Sequence, residues 1–108
     1  MRDIRLSLEK EMLSWPNVTN KKMYGCPSYR YETKLFAFLV TDGIVLTKAS
    51  GEERSVLSEI FSVRPFQPGK RMVIGWPQIA LDESTDLSKV MPFIKSCYER
   101  AKLSSDRE

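Results

Sequence analysis

The segment from Lys34 to Lys48 constrains the fold of this chain more than any other. Residues 34–40 are the strongest strand in the sequence, and Ile44 to Lys48 is predicted to return antiparallel to it. The intervening Thr41-Asp42-Gly43-Ile44 fits a two-residue hairpin, because Asp-Gly tolerates the positive φ angles of a type I′ turn. The segment therefore predicts an antiparallel pair of strands in the middle of a sheet.

The rest of the pattern alternates helices with short strands. Residues 3–14 are predicted to form an amphipathic helix, and residues 21–48 as a whole to form β-structure interrupted at Gly25 and Pro27 by a bulge or a sheet edge. Further elements follow: a helix at 52–61 with Ser50 and Glu53 as a capping box, a loop at 63–70, a strand at 71–76 with an irregular extension over 77–80, and a helix from about 87 to about 103.

Pro92 lies inside the apolar stripe of the last predicted helix. Either the helix kinks there, or a short helix ends near Met91 and Pro92 opens the main one. In both cases the order predicts an α+β two-layer sandwich, with an antiparallel sheet and helices mainly on one face, rather than a parallel doubly wound sheet. We expect one domain over residues 1–103 and a frayed tail at 104–108.

The chain contains no histidine. This removes Ser-His-Asp and Cys-His nucleophilic catalysis, histidine acid–base chemistry and most zinc or haem sites. The acidic groups at 52–59 and 82–86 fall at helix starts or on exposed faces and lack the spacing of a metal-binding loop. We therefore expect no enzymatic activity, metal or cofactor, although thiol, lysine, tyrosine or carboxylate chemistry survives in principle.

The composition is ordinary for a soluble globular protein. No apolar run approaches the ~18 residues that span a bilayer, and the first residues lack the apolar core of a signal peptide. Cys26 and Cys97 are too few and too far apart for a disulfide framework, so we expect two thiols outside any disulfide. We expect cytoplasmic residence and no association with a membrane.

Several short motifs occur together in one order. They are Met23-Tyr24-Gly25, Phe36-Ala37, Asp42-Gly43, Leu46 with Lys48, the segment 71–77, and Ser96, Tyr98 and Ala101 of the closing helix. With these gaps, roughly residues 8–103 resemble the TfoX N-terminal domain family, which is related in character to small YjbR/MmcQ-type proteins. The resemblance implies helices packed on an antiparallel sheet and no defined catalytic residues. Competence regulators of this type carry a second, C-terminal domain.

The candidate binding residues lie mostly in the first predicted strands. Tyrosines interleaved with basic residues are typical of a surface that binds nucleic acid or an anionic ligand, but a sheet with buried tyrosines and solvated basic edges gives the same pattern. Cys26 is either a reactive thiol near two lysines or a small buried side chain, and Trp76 either lines a pocket or packs on the core. The candidates are Lys21, Lys22, Tyr24, Cys26, Tyr29, Arg30 and Trp76.

The strand from Leu35 to Val40 is apolar in both alternating registers. Regular alternation would place Leu35, Ala37 and Leu39 on one face, and Phe36, Phe38 and Val40 on the other. A two-layer domain covers one face with helices, so the other face needs a second cover. The proline-containing loop 63–70 is one candidate and a second subunit is the other; we expect a homodimer.

These observations favour a non-enzymatic, cytoplasmic interaction or regulatory domain that binds a protein partner or a second copy. With a formal net charge of only +3, nucleic-acid binding is expected to be weak. A nucleic-acid-associated regulator of the competence type is the main alternative. A small enzyme that uses thiol, lysine or tyrosine chemistry is the third.

Overall fold

The computed structural model of the chain describes residues 2–23, 25–41 and 43–106 and confirms the α+β fold. Helices alternate with strands in the predicted order of helix, strands, helix, strands, helix. The elements are α1 (Arg2–Leu13), β1 (Val18–Met23), β2 (Cys26–Tyr31), β3 (Lys34–Val40), β4 (Gly43–Leu46), α2 (Gly51–Ile60), β5 (Val63–Phe66), β6 (Val73–Ala80) and α3 (Leu87–Asp106).

The strands form one antiparallel sheet in the order β1-β2-β3-β4-β6-β5. All three helices contribute buried side chains, such as Leu8, Leu57 and Ile94, to a single core with Ile44 and Ile79 of the central strands. The helices therefore cover one face of the sheet, which we call the helix-covered face. The other is the helix-free face. Among the described residues, no helix is both long and apolar enough to cross a membrane.

A β-bulge in β3 decides which side chains face the helices. Tyr29 pairs with Ala37 and Arg30 with Leu35, so Phe36 has no partner on β2 and projects to the same side as Ala37. Phe36, Ala37 and Leu39 lie in the helix-covered core, whereas Leu35, Phe38 and Val40 pack on the helix-free face. The expected division was therefore wrong for two residues. The bulge exchanges Leu35 and Phe36 because it breaks the alternation of a regular strand.

Four aromatic rings tie α3 to the strands and to the end of α1. The ring of Tyr98 packs edge-on against Tyr31 and Phe36, with centroids 5.6 and 5.7 Å away, and lies 5.0 Å from Trp15. The Tyr98 hydroxyl donates a hydrogen bond of 2.8 Å to the Pro16 carbonyl. This cluster holds the helices at one end of the sheet. The hydroxyl group of the buried Tyr98 has a hydrogen-bond partner within it.

Gly43 serves a different purpose from the one its sequence suggests. Val40 pairs with Gly43, so Gly43 is the first residue of β4 and not the second central residue of the predicted type I′ turn. A Cβ atom there would lie 2.1 Å from the Ile79 carbonyl oxygen of β6. The glycine is needed because the backbones of β4 and β6 approach closely. Asp42, the other predicted turn residue, lies outside the described residues.

The β5–β6 hairpin folds over the helix-free face. Pro65 and Pro77 pair directly, so neither can donate a hydrogen bond, and the register jumps beyond them to Phe66 and Val73. β5 is three positions from β3 in the sheet, about 14 Å in a flat sheet, yet the rings of Phe66 and Phe38 are 4.8 Å apart. The hairpin must therefore bend, and Phe66 helps to bury Phe38 from within the same chain.

Several predicted element boundaries differ from those of the structure. Residues 63–70 were expected to be a loop, but residues 63–66 form the edge strand β5, where a proline is tolerated because its missing N–H faces away from the ladder. α3 continues to Asp106, past the expected start of a frayed tail at 104, and accommodates Pro92 within one unbroken helix. The Ser50–Glu53 capping box of α2 was predicted correctly.

Both Phe36 and Phe38 are fully buried, as expected of the central strand. We expect Phe36→Ala and Phe38→Ala each to lower the free energy of unfolding by ~3–5 kcal/mol, although the two rings lie on opposite faces, because each leaves a cavity. Chemical denaturation measures this, with the exposed Ile74→Ala as the control. A loss below ~1 kcal/mol at both phenylalanines would contradict a doubly covered sheet.

Candidate binding surface

The structure separates the residues that the sequence grouped as a binding site. Tyr29 is fully buried on the helix-covered side, where its hydroxyl donates to the carboxylate of Glu9. Burial, and then the hydrogen bond to Glu9, raises the pKa of Tyr29. Tyr29 is therefore a core residue, and Lys22 is an exposed residue of β1 opposite Pro27. Tyr24 lies outside the described residues.

Four of the predicted residues share the helix-free face. Cys26 and Trp76 pack against its apolar cluster, while Lys21 and Arg30 reach this face through their pairing with Ser28 and Leu35. The sequence pattern thus grouped residues of two faces, and strand pairing separates most of them. Lys21 and Lys22, however, both line a depression of about 290 Å³ at the β1 edge.

One row of paired residues crosses the helix-free face from edge to edge. In sheet order the row is Lys21, Ser28, Phe38, Val45, Gln78 and Arg64. The centre of the row is inaccessible to solvent, because Phe38 and Val45 are fully buried beneath Phe66 and Trp76. The two ends of the row carry the exposed cations Lys21 and Arg64. The face therefore consists of a closed aromatic centre and two basic edges rather than an open platform of aromatic rings.

Three depressions adjoin one another at the β5 edge, and Arg64 lines all of them. Two lie on the helix-free side, where Gln78 also lines both, and enclose about 220 and 160 Å³. The third lies between α2 and the β5–β6 hairpin and encloses about 200 Å³; we call it the α2 groove. Its lining residues are Arg54, Ser58, Val63, Arg64, Pro65, Ile74 and Pro77.

The sequence analysis missed the residues of this edge. Arg64, Gln78 and Arg54 come from two strands and a helix that are well separated along the chain, and the prolines near Arg64 indicated a loop. The alternation of Val63 and Pro65 with Arg64 and Phe66 was the one local signal of a strand with two different faces.

A charged cluster on the helix-covered side joins α2 to α3. Glu53 accepts hydrogen bonds from the Ser50 N–H at 2.9 Å, from Arg100 at 2.8 Å and from the Ser96 hydroxyl. Partial burial would raise the pKa of Glu53, but these three donors outweigh it and lower the pKa to about 2. Arg100 also donates to the Lys48 carbonyl. Every member is engaged in holding two helices together, so we assign the cluster a structural role.

The thiols offer no reactive pair. Cys97 lies on α3 in the helix-covered core, where burial raises the pKa of its thiol to about 12. Cys26 packs on the opposite face of the sheet, and neither forms a disulfide. Within the described ranges, no three Cys, Asp or Glu side chains are grouped so that they could hold a metal ion.

Comparisons with known proteins do not identify the surface: the sequence matches no protein-family model, no curated protein and no solved structure. What the surface binds must therefore be argued from its shape and charge.

Glu53→Gln is expected to destabilise the protein at neutral pH, and the loss should shrink in acid. The folded-state pKa of about 2 lies below the ordinary value of 4.5, so the ionised carboxylate stabilises the fold above pH 4.5. This contribution is lost as the pH falls from 4.5 through about 2. Denaturant unfolding across this range checks the trend, with exposed Glu59→Gln on the same helix as the control. A pH-independent difference between wild type and Glu53→Gln would contradict it.

Both thiols should be reduced in the purified protein, and Cys97 should react with a disulfide reagent only after unfolding. Cys97 is fully buried and its raised pKa of about 12 leaves almost no thiolate at neutral pH. Mass spectrometry after labelling, before and after addition of denaturant, locates the modified residue, and Cys26→Ser removes the signal of the half-buried thiol. Rapid labelling of Cys97 in the native protein, or an intramolecular disulfide, would refute this arrangement.

Proposed function

We propose that this protein is a non-enzymatic, cytoplasmic interaction domain with a regulatory role, which binds a protein partner at its β5 edge. Three adjoining depressions around Arg64 support this proposal, because they concentrate cationic and aliphatic groups at one exposed place. The resemblance to the TfoX N-terminal domain family points the same way, since it implies a small α+β domain without catalytic residues.

The positive charge at the β5 edge is the main support for this proposal. Arg64 is exposed, and no carboxylate lies among the described residues that line the three depressions. Surface arginines are commonly balanced by nearby acids, whereas here Arg54 and Arg64 face aliphatic and prolyl side chains. An arginine beside apolar surface is a frequent anchor in protein interfaces, because its planar fork binds carboxylates and its stem packs on apolar groups.

The alternatives have less support. An enzyme that relies on a thiol would find Cys97 buried with a raised pKa, and Tyr29 is buried with its hydroxyl bound to Glu9. A nucleic-acid regulator is favoured by the exposed cations Lys21 and Arg64 at the two ends of one row. Base stacking, however, needs exposed rings, and Phe38 and Phe66 are buried.

A second copy of the chain is one possible partner. The homodimer was expected because β3 is apolar on both faces and its second face needs a cover. Phe66 and Trp76 of the same chain cover part of this second face. The exposed Met72 and Ile74, which remain 49% and 71% accessible, are the apolar groups that a second copy or another partner would cover.

Affinity capture from the native cells tests the proposal. The tagged protein is expected to retain a specific partner that mass spectrometry identifies. The variant Arg64→Glu should no longer retain this partner, because it reverses the charge of the residue that lines all three depressions. Exposed Lys10→Glu, on α1 beside the opposite edge strand, makes the same charge change and should keep it. A second, differently tagged copy of the chain reveals a homodimer.

Equal retention by both variants would refute the β5 edge as the binding surface. In an anisotropy titration, single-stranded DNA should bind only at or above ~1 μM near physiological salt. Sequence-specific nanomolar binding would instead favour the nucleic-acid regulator.

A further inference from the structure

We infer that the α2 groove binds an acidic segment of a protein partner, with an aliphatic side chain on the groove floor and a carboxylate between Arg54 and Arg64. This inference rests on the proposed function and names the chemistry of the partner. It concerns only one of the three depressions, the one that lies on the helix-covered side of β5.

The floor of the groove is apolar and formed by strands. Val63 and Pro65 of β5 lie beside Pro77 of β6, to which Pro65 is paired, and Ile74 forms an exposed apolar rim. Prolines have no N–H, so this floor offers few backbone donors, and rigid strands keep its shape. A volume of about 200 Å³ suits one branched aliphatic side chain rather than an extended ligand.

The two arginines that line the groove come from different elements. Arg54 projects from α2, and its Nη1 lies 3.5 Å from the Ala49 carbonyl oxygen. A Cβ atom on Gly75 would be 3.9 Å from the same nitrogen, so the Arg54 guanidinium lies against the backbone of β6. Arg64, at the exposed edge of β5, lines the groove as well as the two depressions on the helix-free side. An arginine held by its surroundings loses less side-chain entropy when it binds a carboxylate.

The charge around the groove selects an acidic partner. Of the described lining residues, two are cationic and none is acidic. Lys70 and Arg71 are exposed in the connection between β5 and β6, which extends the positive charge beyond the groove. Arginine–carboxylate pairs are frequently bidentate and roughly twice as strong as neutral hydrogen bonds.

A nucleic acid fits the groove less well. No aromatic side chain lies among the described residues that line it, so bases would have no ring on which to stack. Phosphates would find the two arginines but would leave the aliphatic floor uncovered. An acidic peptide with a leucine or isoleucine satisfies both parts of the groove.

A fluorescein-labelled peptide in which leucines alternate with glutamates serves as the probe. Fluorescence anisotropy should show saturable binding, weakened at least about tenfold by Arg54→Gln or by Arg64→Gln, since each removes a charge-assisted hydrogen bond. Ile74→Ser should weaken it as well. The control Lys10→Gln removes one positive charge beside β1, at the opposite edge of the sheet, and should change little. Unfolding midpoints confirm that each variant is folded.

Three further arms make the result decisive. A probe with glutamines in place of glutamates, and one with glycines in place of leucines, should both bind poorly. The double variant Arg54→Glu with Arg64→Glu should lose the acidic probe and gain a lysine–leucine probe. A structural effect of the substitutions would not produce this exchange.

Failure of the acidic probe to bind, or equal binding by the Lys10 and Arg64 variants, would overturn the inference. Preferential binding of single-stranded DNA at the same arginines would also overturn it. The proposed function would stand in either case if the native partner is still lost on Arg64→Glu, because that experiment does not depend on the chemistry of the probe.

Discussion

The double-sided hydrophobicity of β3 is the constraint on which the rest of the structure depends. A central strand that is apolar on both faces cannot be solvated on either, so the chain must provide two covers. Three helices supply the first through the core around Phe36. The bent β5–β6 hairpin supplies the second through Phe66 and Trp76. The positions of the helices and of the bend both follow from this one requirement.

The second cover also creates the candidate binding surface. The register shift that follows the Pro65–Pro77 pair breaks the regular ladder and lets the outer half of the hairpin turn over Phe38. The same bend leaves Arg64 on the rim and Ile74 exposed beside α2. An element that is needed for stability thus presents, on its outer side, the cationic and aliphatic groups to which we assign recognition.

The element order and the burial of Phe36 and Phe38 followed from the sequence because hydrophobic patterns over four to eight residues report local structure well. The sequence could not predict which face of the sheet Phe36 occupies. A single bulged residue reverses the alternation of the strand, and no pattern in the sequence indicates where such a bulge lies. The β5 edge was missed for another reason. Arg64 and Gln78 meet through the pairing of β5 with β6, which the prolines of this segment concealed. Arg54 joins Arg64 only because α2 packs beside β6, and sequence patterns do not report such packing.

The two outer strands of the sheet have a consequence for how molecules of this protein can meet. Outer strands present unpaired backbone groups and are natural templates for the addition of another strand. Here β5 carries Pro65, which lacks a donor, and β1 exposes Lys21 and Lys22, which would bring like charges together in an antiparallel copy. Edge-to-edge growth into larger sheets, the usual beginning of β-aggregation, is therefore disfavoured at both ends. Contacts with other molecules are left to side chains.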